Sequence, residues 1–217
     1  MMFPDNHYPA GKPDFTLLAP YGLPRRYRAG CLIAFEGDDA DALYLVRSGY
    51  VKIFSSEMNG MEIIYRIEGP GSLFGELSLI DGRPRSASVA ALSDCELVYL
   101  SRSRARLVAR EQPELSAMMF VLLASRIRQL SGRVASHVSG SVYQRLKVFL
   151  EEMEDHYRSG YAEPLPLKHR ELGGLVGASR EMVTKLVNGL KRRGYIRMEN
   201  RVIRVIRALP SRFPGEK

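Results

Sequence analysis

The spacing of apolar residues changes once along this chain, near Ser101, and that change dictates a fold in two parts. Before it, short runs of alternating or β-branched apolar residues occur at Cys31 to Phe35, Ala42 to Val46, Tyr50 to Phe54, Glu62 to Ile67, Ser86 to Ala90 and Cys95 to Leu100, separated by turn residues. Such runs predict a closed antiparallel sandwich or barrel. Asn59-Gly60 lies between two of them and signals a two-residue hairpin, because both central positions of a type I′ turn need positive φ. After Ser101 helical spacing takes over. Phe120, Leu123, Ile127, Leu130 and Val134 recur at alternating steps of three and four, forming a narrow stripe that wants a partner helix. Neighbouring Met118, Met119 and Leu122 can pack on the chain's own β-part, which leaves the stripe for a parallel homodimer. Ser139-Gly140-Ser141 interrupts the helix as a hinge, the apolar spacing resumes at Val142, Leu146, Phe149 and Leu150, and Tyr157 to Pro166 reads as a loop.

The whole is therefore expected to be an α+β protein divided at 1–112, 113–138 and 139–217: a β-rich part, a long helix and a C-terminal part. At 217 residues, 45% hydrophobic and 26% charged, the chain has the composition of an ordinary globular protein. Cys31 and Cys95 stand far apart with no Cys or His at ligand spacing, so no metal site, disulfide framework or iron-sulfur cluster is read from them. The start, Met1 to Ala10, lacks a basic segment followed by an apolar core, and the run Ala117 to Ala124 is too short to span a bilayer. No membrane association and a cytoplasmic location are expected.

Charge is divided unevenly. Residues 1–136 are nearly neutral, whereas Leu165 to Phe213 holds Lys168, Arg170, Arg180, Lys185, Lys191, Arg192, Arg193, Arg197, Arg201, Arg204, Arg207 and Arg212 against only Glu171, Glu181 and Glu199. That excess suits a polyanion partner, although a solvated basic face would look the same on charge alone. A motif decides between them. In Leu167 to Leu190, two short helical segments flank Gly177, Ser179 is placed to cap the second, and Leu172, Leu175 and Val176 are spaced to pack on Val183, Leu186, Val187 and Leu190. Arg180, Glu181, Thr184 and Lys185 remain on the other face, near the helix start, where recognition helices meet base edges. Lys168, His169 and Arg170 open the first segment. Gly194 to Arg197 and Val202 to Ile206 then read as a wing hairpin.

A second motif, Gly75-Glu76-Leu77-Ser78 through Arg85-Ser86-Ala87, sets a carboxylate and backbone amides beside a short turn and returns with an arginine and a hydroxyl. Those groups can hold a phosphorylated sugar: the amides near Gly75 and Ser86 with Arg85 satisfy a phosphate, and Glu76 accepts from a ribose hydroxyl. The alternative is a turn-stabilising ion pair between Glu76 and Arg85.

Both motifs in this order, joined by a long helix, resemble the cyclic AMP receptor protein/FNR family of bacterial transcription regulators, from about Leu32 to Val205. The resemblance implies an N-terminal β-roll (double-stranded β-helix) that binds a cyclic nucleotide, a dimerisation helix and a C-terminal winged helix-turn-helix. It implies that Glu76 meets the ribose 2′-hydroxyl, that Arg85 and Ser86 meet the cyclic phosphate, and that Gly75 and Leu77 supply backbone contacts, with Ser78 and Ala87 in the same cassette. Arg180 and Glu181 match the pair that reads a TGTGA-type half-site of a palindrome in double-stranded DNA; Lys185 stands where the family usually has Arg and lacks its planar fork. Leu130 and Ser131 match a Thr-Ser pair that bonds adenine, and Leu130 cannot bond a base. Cyclic AMP is the leading effector; cyclic GMP, cyclic di-GMP or a constitutive regulator with a vestigial pocket stay open. RNA polymerase is a possible partner, through the loop at Tyr157 to Glu163. No catalytic residues are assigned: no nucleophile-base pair, metal cluster or Walker-type loop supports a nucleotide-processing enzyme, the reading of a different class.

Overall fold

The computed structural model describes residues 13, 15–58, 60–158 and 164–213. Asn59 of the expected hairpin and residues 159–163 of the Tyr157 to Pro166 loop, which include the expected polymerase-facing stretch beyond Arg158, lie outside them. The chain divides into two compact units. One takes the described residues up to Ser55 with Tyr65–Arg128, and the other takes Ser56–Ile64 with Gln129 onward.

The first unit opens with a 3-10 helical stretch, Phe15–Tyr21, and strands β1 (Leu23–Tyr27), β2 (Leu32–Ala34), β3 (Ala42–Ser48) and β4 (Val51–Ser56). After them come β5 (Glu62–Glu68), β6 (Leu73–Phe74), helix α1 (Glu76–Asp81), β7 (Ser88–Ala91), β8 (Cys95–Ser101) and α2 (Arg102–Glu111). The strands form two four-stranded sheets, in the orders β1-β8-β3-β6 and β2-β7-β4-β5. Strand β3 is buried on both faces, and its period of two divides it between two cores. Leu43 and Leu45 pack with Phe15, Leu18, Leu73, Val98, Leu100 and Val108 toward the helices. Ala42, Tyr44 and Val46 pack with Ile53, Phe74, Val89 and Leu97, drawing on both sheets. The expected antiparallel β-part is therefore present, with four differences. Strand β1, the two-residue β6 and the 3-10 stretch were not expected, and the strand expected at Ser86 begins at Ser88. Leu23–Tyr27 carries Pro24, Arg25 and Arg26 with an almost wholly exposed pattern, so it lacks the alternation that marks a strand.

Helix α3 (Pro113–Ser139) is one unbroken helix whose Phe120, Ile127, Leu130 and Val134 are 73%, 66%, 60% and 58% exposed; Leu123 is half-buried. Gly140 separates it from α4 (Val142–Arg158), which runs past Tyr157, the residue at which a loop was expected. Ser141 starts α4 by accepting from Gln144 N–H at 3.2 Å while the Gln144 side chain accepts from Ser141 N–H at 2.8 Å, a reciprocal cap. Helices α5 (His169–Val176) and α6 (Arg180–Arg192) follow, then strands β9 (Ile196–Glu199) and β10 (Val202–Val205). Leu146, Phe149, Leu150 and Met153 of α4 are buried, as are Leu172, Leu175, Val176, Val183, Leu186, Val187 and Leu190. Buried Glu154 holds the hairpin to α4, accepting from Arg204 at 3.0 and 2.9 Å and from Val205 N–H at 2.9 Å. No helix among the described residues is long and apolar enough to cross a membrane.

Candidate functional site

The cassette is built by one tight turn into a short helix. Gly75 sits at φ 86° immediately before α1, a conformation L side chains rarely adopt. A Cβ there would lie 2.4 Å from Arg85 Nη1 and 2.9 Å from the Ala42 carbonyl, so the position excludes any side chain. Arg85 is buried beneath it, donating to Ala42 O at 2.7 Å and to Gly75 O at 3.5 Å, with Asp41 at 3.7 Å. Ser78 donates to Pro84 O at 3.2 Å, and Arg102 of α2 donates to Ser78 O at 2.9 Å, which pins both ends of the motif together.

Glu76 is 1% exposed and does not pair with Arg85. It makes an ion pair with Arg126 of α3, and Arg66 of β5 stands 3.8 Å away. Arg126 also donates to Glu68 at 2.9 Å and to Leu73 O at 2.5 Å, while Arg66 donates to Glu68 at 2.7 Å. Burial alone would raise the Glu76 pKa, but Arg126 and then Arg66 outweigh it and hold the carboxyl below its ordinary value. Burial likewise works against the Arg126 charge, and Glu76 and Glu68 more than restore it. The sequence reading missed Arg126. Its signal was present: after Glu114 it is the first charged residue along α3.

Glu76, Leu77, Ser78, Arg85, Ser86 and Ala87, with Gly75, line one cavity of about 30 Å³, which has room for no more than a water or two. The polar groups fit a cyclic phosphate and a ribose: a guanidinium, an exposed hydroxyl and a carboxylate converge there. Leu130 and Ser131 do not line this cavity. Among the described residues no metal-ligating cluster occurs.

The second site lies on α5 and α6. Gly177 at φ 64° ends α5, its N–H donating to Gly173 O, and Ser179 caps α6 by accepting from Met182 N–H at 3.2 Å. Arg180, Glu181 and Lys185 are exposed at the start of α6, and Thr184 is half-buried beside them. Lys168 precedes α5, its N–H donating to Glu171 at 2.6 Å. Arg170 is engaged rather than free, donating to Glu62 and to Gly60 O at 3.2 Å each. Strands β9 and β10 pair antiparallel with Val202 opposite Glu199, and the turn between them places Asn200 and Arg201 at positive φ.

The chain matches the cyclic nucleotide-binding domain family over residues 24–111 and the Crp-like helix-turn-helix domain family over residues 144–209. It is 34% identical to the cyclic AMP receptor protein of Thermus thermophilus, an alignment covering 87% of this chain and 89% of that one. The CRP-like cAMP-activated global transcriptional regulator of Mycobacterium tuberculosis is 32% identical, over 86% of this chain and 83% of its own. In fold it is similar to the c-di-GMP responsive global regulator CLP of Xanthomonas campestris, with a TM-score of 0.75 at 23% identity, covering 88% of this chain and 97% of that one.

Proposed function

Since the chain belongs to the cyclic AMP receptor protein/FNR family of bacterial transcription regulators, we propose that it is a cytoplasmic homodimer whose DNA binding is switched by cyclic AMP. The observation that carries this reading is the convergence of Arg85, Ser86 and Glu76 on one cavity in the same chain as a capped helix-turn-helix with a basic reading face. Arg85 and Ser86 hold the cyclic phosphate, Glu76 accepts from the ribose 2′-hydroxyl, and Gly75 lets the backbone approach. Ser131 is the base contact, with Leu130 excluding a hydrogen bond at its own position. A nucleotide that engages Glu76 competes with the Glu76–Arg126 ion pair, so the effector acts where α3 meets the cassette. Only an effector that binds the DNA-competent arrangement more tightly shifts the equilibrium.

The parts fall at 1–112 for effector binding, 113–138 for dimerisation and 139–217 for DNA binding, with Gly140 as the break. The stripe Phe120, Leu123, Ile127, Leu130 and Val134 is the dimer seam. Lys168, Arg170 and Ser179 stand at the phosphate-facing end of the motif, His169 backs the reading face through Thr184, and Arg180, Glu181, Thr184 and Lys185 face base edges of a TGTGA-like half-site. Bound DNA draws Arg170 away from Glu62. RNA polymerase is the partner at promoters, and the chain acts by binding rather than by catalysis.

Titration calorimetry of the full chain against cyclic AMP tests the effector, with cyclic GMP and cyclic di-GMP as parallel arms. Saturable binding of cyclic AMP, weakened by Arg85→Gln and by the exposed-site variant Ser86→Ala, is expected. Binding of another nucleotide alone replaces the effector, and silence in all three arms overturns effector gating.

A further inference from the structure

Thr184 lies on the reading face of α6, and its hydroxyl is occupied. Thr184 Oγ1 donates its one proton to the Arg180 carbonyl at 2.7 Å, a helical i to i−4 bond. The same oxygen lies 2.8 Å from His169 Nδ1 on α5. Because the hydroxyl proton is already committed, the His169 contact requires Nδ1–H as the donor, which fixes the tautomer. Burial, and then the Arg180 charge, hold the His169 pKa below its ordinary value, so the ring is neutral. His169 Nε2 is buried and finds no hydrogen-bond partner among the described residues, so the ring is turned into the motif rather than out toward a phosphate. A threonine spent in this way has no proton to offer a base. What it presents is its γ-methyl group.

We propose that Thr184 reads the 5-methyl group of a thymine in the major groove, with His169 as the positioning residue that commits the hydroxyl inward. The inference rests on the reading of α6 as the DNA-recognition helix, and it makes one base pair of the half-site apolar in its recognition. A threonine methyl against a thymine methyl is an established form of base contact. Burying one methyl group is worth about fourfold in affinity. Arg180 shares the arrangement, because the carbonyl that receives the Thr184 proton is its own.

The test uses the full chain and a duplex selected by it from a randomised pool with cyclic AMP present. Each thymine of the half-site is replaced in turn by deoxyuridine, which removes only the 5-methyl group. One position is expected to lose about fourfold in affinity. Thr184→Ser, which keeps the hydroxyl and loses the methyl, makes that position indifferent to the replacement; Thr184→Val keeps the penalty. His169→Leu lets the Thr184 side chain turn and reduces discrimination there, and His169→Asn, which offers an N–H near the Nδ1 position, restores it. A selected operator whose thymines all tolerate deoxyuridine, or whose penalty survives unchanged in Thr184→Ser, overturns the inference while leaving the DNA-reading assignment standing. Failure to select any sequence overturns that assignment and this inference with it.

Discussion

Arg126 of the long helix makes an ion pair with Glu76 at the start of the cassette helix, and both side chains are almost completely removed from water. The pair is completed by Glu68 and Arg66, giving two carboxylates and two guanidinium groups in one buried cluster. Such a cluster is costly to break from one side, because the remaining charges stay desolvated.

Arg126→Gln is therefore expected to destabilise the chain by about 3 kcal/mol, read from the midpoint of urea unfolding. The pH dependence has a definite sign. Glu76 has a folded pKa below its ordinary 4.5, so its contribution is complete above about pH 4.5 and is lost as pH falls through the lower folded value. The stability gap between the natural chain and Glu76→Gln should accordingly be constant near neutrality and close only in acid. A gap that widens in acid would contradict the ion-pair account.

Gly75→Ala combines a positive φ with a Cβ placed against Arg85 and the Ala42 carbonyl. A loss of about 2 kcal/mol is expected, together with loss of nucleotide binding. Gly82, also at positive φ but with no atom near its Cβ, is the control: Gly82→Ala should cost less and leave nucleotide affinity nearly unchanged.

How much of this was legible in the sequence follows from the range of the interactions. Helices α5 and α6, the Ser179 cap and the Gly177 turn are fixed by residues within a few positions of one another, and the sequence reading placed them correctly. The stripe on α3 is likewise a local periodicity. The Glu76–Arg126 pair joins residues fifty positions apart, and residue spacing led only to a choice between a sugar contact and a pairing with Arg85. The outward exposure of β1 hid a strand that is held by pairing with β8 rather than by its own pattern. His169 was grouped with the DNA-contacting residues, and its inward bond to Thr184 is a tertiary contact that composition does not carry.

The exposed stripe predicts self-association. Ile127→Asp with Val134→Asp should convert the sedimenting species from dimer to monomer, since each substitution would bury a charge in the seam. An unchanged sedimentation mass would refute the seam.

Arg180 is exposed at the first position of α6, free to reach a guanine edge. Arg180→Ala is expected to cost roughly 1 to 3 kcal/mol on the selected operator and to relax specificity at one base pair. Fluorescence anisotropy on selected and random duplexes separates the cases: equal losses on both would mean that Arg180 contacts only phosphate.

The most direct measurement is the affinity of the full chain for its selected operator as cyclic AMP is titrated, at fixed salt. The account predicts an operator affinity that rises by at least tenfold and saturates, a rise absent in Arg85→Gln. Full affinity without nucleotide, unaltered by its addition, would contradict the coupling between the Glu76–Arg126 cassette and the recognition helix.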